Sequence, residues 1–383
     1  MSTTQLTATH QIVLILDDDL SITEGLAGGL ARSERTIITA NDLESGELVV
    51  EWLKPSHVVS DVRLTGAFGY EGLDFIHFVK RASPDTRIIL MTGDAPDELQ
   101  LEASQRGAVG FLRKPFQTAE LDAVLDLMAP PRTGSPDWPD VIRMPLLDDI
   151  LASDRLTANF QPVVRLLTGD YVGYEALARF QSDSPLRNPE TLFKYAVRKH
   201  RVSDLEIACM TRSLRAGAQL VLHAPLFLNV HPDVFAAGRP IYDAVMAETE
   251  ASGIPLNRLV LEITEQGSLT HDARTRESIQ ELKSAGIRFA FDDVGVAYSH
   301  LPFIDAVRPS FLKISQHFGT GFEQDPTKTK IVRNLLSLAK DFDCDLILEG
   351  IETAATATAA SDLGIKYGQG YHFARPGVAA AFL

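Results

Sequence analysis

The stretch FDDVGVAYSH, residues 291–300, sets two adjacent carboxylates, Asp292 and Asp293, directly after an apolar run. Such a pair either ends a strand or ligates metal at the mouth of a site. Other apolar runs in the same half of the chain end in Glu175, Asn229, Glu262, Lys313, Glu349 and Gln369. Acids brought together at so many strand ends repel one another and raise each other's pKa unless cations neutralise them. Every candidate ligand offers oxygen and none is His or Cys, which favours Mg²⁺ or Mn²⁺ over zinc. An adjacent aspartate pair can serve two ions, the spacing of roughly 3.5–4 Å that suits phosphoryl hydrolysis.

A second set lies in the first third of the chain. Asp17 and Asp18, Asp61, Thr92 and Lys114 each follow or end a short apolar run. Three carboxylates, a hydroxyl and an ammonium on one sheet edge would hold a hard divalent cation. They would also let one aspartate accept a phosphoryl group, with the lysine neutralising its oxygens.

The elements that must position these groups fall into two halves. Five apolar runs, at 12–16, 36–40, 57–60, 87–91 and 109–113, alternate with helical stretches. That alternation predicts an α/β, flavodoxin-like, doubly wound parallel sheet, whose ligands sit at the carboxyl ends of the strands. Four prolines and a glycine in APPRTGSPDWPD, residues 129–140, prevent continuous helix or strand and mark a seam. Eight runs follow, beginning FQPVV, YVGYEALARF, LFLNV and LVLEIT, and most are separated by helical segments. They predict a modified (β/α)8 TIM-like barrel, with catalytic residues at its carboxyl rim. RLLTGD is too short for a parallel crossover, so the strands on either side of it are expected to be antiparallel. The expected division is 10–129 for the first domain, 130–144 for a linker and 145–383 for the second.

Composition narrows the classes. At 383 residues and 45% apolar content the chain can fill two cores. A net charge of -15 argues against direct DNA binding, which needs clustered Lys and Arg. Two separate cysteines do not make a disulfide framework or a structural zinc site and suit a reducing compartment. The opening residues carry no signal-peptide pattern, and no apolar run approaches the roughly 18 residues of a membrane helix. The expectation is a cytoplasmic protein without membrane insertion.

Residues 11–128 resemble the receiver domain of bacterial response regulators through LILDDD, VVSDVRL, ILMTG and FLRKPF. That likeness implies Asp61 as phosphoacceptor, one Mg²⁺ at Asp17 and Asp18, and a switch of Thr92, Phe111 and Lys114. Residues from about 146 onward resemble the EAL-domain cyclic di-GMP phosphodiesterases. FQPVV, YEALAR, FLNVHP, LEITE, DDVG, LKI, LEGIET and GQGYHFARP occur in order.

Eight ordered motifs imply hydrolysis of cyclic di-GMP to linear pGpG with two Mg²⁺ or Mn²⁺ ions. Glu175, Asn229, Glu262 and Asp292 match ligands of one metal, and Asp293 a ligand of the second. Glu349 matches the catalytic carboxylate that helps organise metal and water, a general-base candidate, and Lys313 matches the cation beside the attacking water and phosphate. Gln161, Leu177, Arg179 and Gln369 match the substrate pocket, and Glu265 and Glu352 match residues that hold a loop beside it. The implied partners are cyclic di-GMP, a sensor histidine kinase or phosphotransfer protein, and a second copy of the chain.

Two stretches depart from the pattern. Val294-Gly295-Val296-Ala297 replaces the usual Phe-Gly-Thr-Gly, and Ser315 stands where an acid is expected. Removing one polar active-site group can cost on the order of 10²–10³ in rate. Two readings therefore stand: a phosphodiesterase under receiver control, and a domain that binds cyclic di-GMP, or another protein, with little turnover. His231, His300 and His317 lack histidine partners at ligand spacing and read as turn or helix-start residues; Cys344 reads as a small buried apolar residue.

Overall fold

The structure, a computed structural model, describes residues 10–64, 71–93, 97–127, 138–221, 224–263, 273–295 and 303–383. It forms two compact units, Met1–Ser153 with Phe180–His200, and Asp154–Arg179 with Arg201–Leu383.

In the first unit, β1 (Gln11–Leu16), β2 (Arg35–Ala40), β3 (His57–Asp61), β4 (Arg87–Thr92) and β5 (Gly110–Arg113) alternate with helices. These are α1 (Leu20–Leu30), α2 (Leu43–Leu53), α3 (Glu71–Ala82), α4 (Asp97–Arg106) and α5 (Thr118–Leu127). The sheet order is β5-β4-β3-β1-β2-β6, all parallel. Val13 to Leu16 are completely buried because helices cover both faces. The sixth strand, β6 (Val141–Arg143), lies within the expected linker and pairs with β2 from Ile37 to Thr39. Three residues are too few to show a strand period, so the prolines before them dominate the sequence signal.

The second part of the chain forms a closed eight-stranded barrel. Its strands are β7 (Leu156–Arg165), β8 (Tyr171–Phe180), β9 (Leu226–Val230), β10 (Leu259–Ile263), β11 (Arg288–Val294), β12 (Phe311–Ile314), β13 (Asp345–Leu348) and β14 (Tyr367–Gly368). The pairings from β8 to β9, β9 to β10 and onward to β14 are parallel, while β14 meets β7 antiparallel. Strand β7 is thus the inverted one, as the short RLLTGD connection requires. Among the described residues no helix is long and apolar enough to cross a membrane.

Strand alternation explains how this barrel makes a site. Val163, Phe227, Val260, Ala290 and Ile347 form a cluster against which Phe311 and Tyr367 pack. Two residues further along each strand, on the same face, come Asn229, Glu262, Asp292, Lys313, Glu349 and Gln369. On inverted β7 the count runs backward, from Val163 to Gln161. On β8 the residue below Glu175 is Gly173, where a Cβ would lie 2.5 Å from the Phe227 ring. The interior is therefore an apolar floor under a polar rim.

Between α7 (Pro189–Arg198) and the next strand runs α8 (Val202–Val221), which carries the buried Glu206. Its carboxylate accepts the His231 backbone N–H at 2.7 Å, just past the end of β9. Burial pushes this carboxyl up to about 8, the single N–H opposing the shift. The folded protein therefore keeps a proton that the unfolded chain releases near 4.5, so this group's contribution is full below 4.5 and is lost as pH rises through about 8. Glu206→Gln keeps the acceptor without the charge. Relative to this variant the wild type is expected to lose on the order of a few kcal/mol between about pH 5 and about pH 8, measured by urea unfolding followed by circular dichroism.

Candidate active site

The centre of the barrel rim is Lys313, whose side chain is fully buried. Its Nζ lies 2.7 Å from Glu349, 3.1 Å from Glu175, 3.2 Å from Glu262 and 3.5 Å from Asp292. Acids carried by β8, β10 and β11 and by the residue after β13 thus meet the ammonium supplied by β12. Burial by itself would lower the Lys313 pKa, and the carboxylates raise it well above its ordinary value.

The acids divide by their surroundings. Burial pushes Glu175 up, but Lys313 and hydrogen bonds from Asn229 and Gln369 outweigh it and leave the carboxyl below its usual range. Asn229 Nδ2 donates to Glu175 Oε1 at 2.9 Å and Gln369 Nε2 to Oε2 at 2.7 Å. Gln369 also donates to Gln161 Oε1 at 3.2 Å, and Gln161 in turn donates to the Ala374 carbonyl at 3.1 Å. Glu262, Asp292 and Glu349 are raised, chiefly by burial and against the pull of Lys313; Glu349 reaches about 8.

Asp293 does something different. It adopts a left-handed backbone, φ +52°, where the β11–β12 register is irregular between Phe291 and Val294. It lines a separate cleft of about 660 Å³ with Ser315, Gln316, His317, Thr320 and Lys328. Ser315 is buried there, and its hydroxyl accepts the His317 N–H at 3.4 Å, capping the short helix Gln316–Gly319. Gly319 comes so close to the strand after Lys313 that a Cβ would lie 1.7 Å from the Glu349 carbonyl oxygen.

The remaining positions sort plainly. Leu177 and Arg179 are half-buried on β8, and Arg179 Nη1 donates to the Ala178 carbonyl at 2.8 Å. Glu352 is exposed after β13. Glu265, Val296, Ala297 and His300 lie outside the described residues. The contact of His231 with Glu206 bridges 25 residues and has no signal in sequence spacing.

The barrel rim offers acceptors for cations. Among the described residues Glu262 Oε1, Asp292 Oδ1 and Gln369 Oε1 are buried without a hydrogen-bond donor, which fits an all-oxygen ligand set. In the first unit, Asp17, Asp18 and Asp61 bring one carboxylate oxygen each within 4.8 Å of the others, a grouping that fits one divalent ion. Lys114 bridges Asp17 at 2.6 Å and Asp61 at 3.2 Å. Thr92 is buried at the end of β4, and Phe111 sits half-buried on β5 opposite Leu90.

Comparison with known proteins finds two families along the chain. The EAL domain family model matches residues 146–376 and the response regulator receiver domain model residues 13–126. The chain belongs to the EAL domain family, with a receiver domain at its N-terminal side. The cyclic di-GMP phosphodiesterase RocR of Pseudomonas aeruginosa is 26% identical over 80% of this chain and 81% of its own length. The cyclic di-GMP phosphodiesterase TpdA of Vibrio parahaemolyticus is 28% identical over 56% of this chain, but only 36% of that relative is covered. Among solved structures, the EAL enzyme Bd1971 in its cAMP-bound form matches with TM-score 0.56 and 23% identity, covering 62% of this chain and 67% of that one. PaMucR phosphodiesterase in complex with c-di-GMP matches at 0.54 and 24%, covering 60% and 100%. These two likenesses show the barrel fold.

Among the described residues Lys313 is the cation that faces Glu175, Glu262, Asp292 and Glu349 in this EAL barrel. Replacing it by methionine, Lys313→Met, strands their charges. In buffer containing a chelator the variant is expected to lose about 3–5 kcal/mol of barrel stability, checked by chemical unfolding.

Proposed function

We propose that the chain is a response regulator whose EAL barrel hydrolyses cyclic di-GMP to linear pGpG under the control of its receiver. The observation that carries this reading is the ring of Glu175, Glu262, Asp292 and Glu349 around Lys313 at the carboxyl rim. The likeness to RocR along four-fifths of the chain supports it.

In this reading Glu175, Asn229, Glu262 and Asp292 hold one Mg²⁺ or Mn²⁺ and Asp293 contributes to a second. Bound ions would activate water and neutralise the phosphoryl oxygens. Hydrolysis adds water across one P–O3′ bond: the water oxygen bonds to phosphorus, the 3′ oxygen leaves, and the ring opens to a 5′-phosphate. Glu349 takes the proton of the attacking water, and Lys313 holds that carboxylate and stabilises charge on the phosphate. Arg179 offers a planar fork for a phosphate oxygen pair. Gln161 and Gln369 form one amide chain that fixes Glu175, and Leu177 borders the same strand end. Glu265 and Glu352 would hold the loop beside the second ion.

Receiver control would begin with phosphoryl transfer to Asp61 from a sensor kinase or phosphotransfer protein, assisted by Mg²⁺ at Asp17 and Asp18. Lys114 would neutralise the new charge. The protein would act in the cytoplasm and would pair with a second copy of the chain.

The reading is tested by incubating the protein with cyclic di-GMP and Mg²⁺ or Mn²⁺ and following pGpG by chromatography. Glu175→Ala is expected to lower turnover by at least about 10²-fold. Saturable binding with no product above that variant would replace the enzyme by a cyclic di-GMP sensor, the reading that Ser315 favours. Asp61→Asn is expected to abolish any change in turnover produced by acetyl phosphate; an unchanged response would move phosphorylation to another residue.

A further inference from the structure

Residues 180–200 belong by sequence to the EAL match, yet they fold into one compact unit with the receiver. The contact is made by the cationic end of α7 along α2, from its N-cap Asp42 to Glu51. Lys199 Nζ lies 2.8 Å from Glu44 and 3.1 Å from Asp42. Arg198 lies 2.6 Å from Glu51 and 3.9 Å from Glu47, and its guanidinium also faces the Phe78 ring of α3 at 6.0 Å. Tyr195 is fully buried, and its hydroxyl donates to Asp42 at 3.3 Å. Four acids on one face of α2 thus meet two cations and one phenol on α7. The match is of charge as well as shape.

This contact begins beside the phosphoacceptor pocket. Asp42 caps α2 by accepting the Ser45 N–H at 2.8 Å. Its neighbour Asn41 donates from Nδ2 to the Asp17 carbonyl at 2.9 Å and to the Thr23 hydroxyl at 3.3 Å. Asp17 is in turn tied through Lys114 to Asp61. A run of hydrogen bonds and ion pairs therefore joins Asp61 to α7. Phosphorylation adds about -1.5 to -2 charges at the first member of that run. At the far end, α7 follows β8, the strand that carries Glu175, Leu177 and Arg179.

We propose that the acidic face of α2, formed by Asp42, Glu44, Glu47 and Glu51, is the surface through which the receiver's state is read, and that its partner is α7 of this same chain. The inference rests on the receiver control proposed above and adds its route. The face of α4, β5 and α5 is not needed for it. Ion pairs of half-buried groups suit such a device, because each is weak enough to be exchanged and several together set a geometry.

The test uses the full-length protein with Mg²⁺, with and without beryllofluoride as the phosphoryl mimic. Hydrogen exchange over residues 189–199 and cyclic di-GMP turnover are both read. In the wild type, beryllofluoride is expected to change exchange in this segment and to change turnover. Arg198→Glu is expected to bring the ratio of turnover with and without the mimic close to one, and the charge swap Arg198→Glu with Glu51→Arg to restore it. The swap separates a lost contact from a damaged fold. Exchange over 189–199 that ignores beryllofluoride in the wild type overturns the proposal, as does a single variant that responds like the wild type. Exchange that changes while turnover does not would support the α2–α7 surface and remove receiver control of hydrolysis.

Discussion

One buried ammonium among two buried and two half-buried carboxylates is the constraint around which the barrel is arranged. Lys313 is fully buried and Glu262 equally so, and neither would remain charged alone in an apolar interior. Holding the ammonium within 3.5 Å of acids from β8, β10, β11 and β13 demands that those strands bring their acids to one level. Parallel pairing supplies that level, and the two-residue alternation places Glu262, Asp292, Lys313 and Glu349 one layer above an apolar side chain. Inverting β7 does not disturb the layer, because Gln161 precedes Val163 where every other rim residue follows its partner.

Much of this arrangement is legible in the sequence because the relevant signal is local. An apolar run ending in a polar residue states both the strand and the rim position, and it does so for Glu175, Asn229, Glu262, Lys313 and Glu349. What escapes is either too short or too distant. Strands β6 and β14 have three and two residues, below the length at which alternation can be counted. The contacts of Glu206 with His231 and of Lys199 with Asp42 and Glu44 join residues 25 to 157 positions apart, where spacing carries no information. The surroundings of the segment 180–200 escape for the same reason: its helix pattern is clear, but the charges that meet it lie far along the chain.

The doublet Asp292-Asp293 shows where local pattern stops being enough. Strand alternation predicts that adjacent side chains point to opposite faces, so a paired site needs the second aspartate to be redirected. The left-handed φ at Asp293 and the irregular register beside it accomplish this. A non-glycine residue in that region costs roughly 1–2 kcal/mol, a strain that persists only where the surroundings enforce it. Asp292 consequently joins the ammonium ring, while Asp293 faces the cleft that contains Ser315. A serine in that cleft gives a helix cap and a neutral wall where a carboxylate would have added another negative charge. The departure at Ser315 therefore lies in the cleft of Asp293, outside the ring around Lys313.

Charge balance ties these features to the choice of ligand. Four carboxylates against one ammonium leave the rim acidic, in a chain whose net charge is already -15. A bare anionic dinucleotide would be repelled from such a rim. Either protons or divalent cations can correct the balance, and they compete for the same oxygens. Protons are held by acids whose affinity burial has raised, as at Glu262 and Glu349; cations are favoured by Glu175, which Lys313 and two amides keep ionised. The rim thus contains one carboxylate committed to its charge and others whose charge depends on what arrives. That asymmetry leaves oxygen ligands on offer to an ion, and an anionic ligand would approach such an acidic rim only with cations beside it.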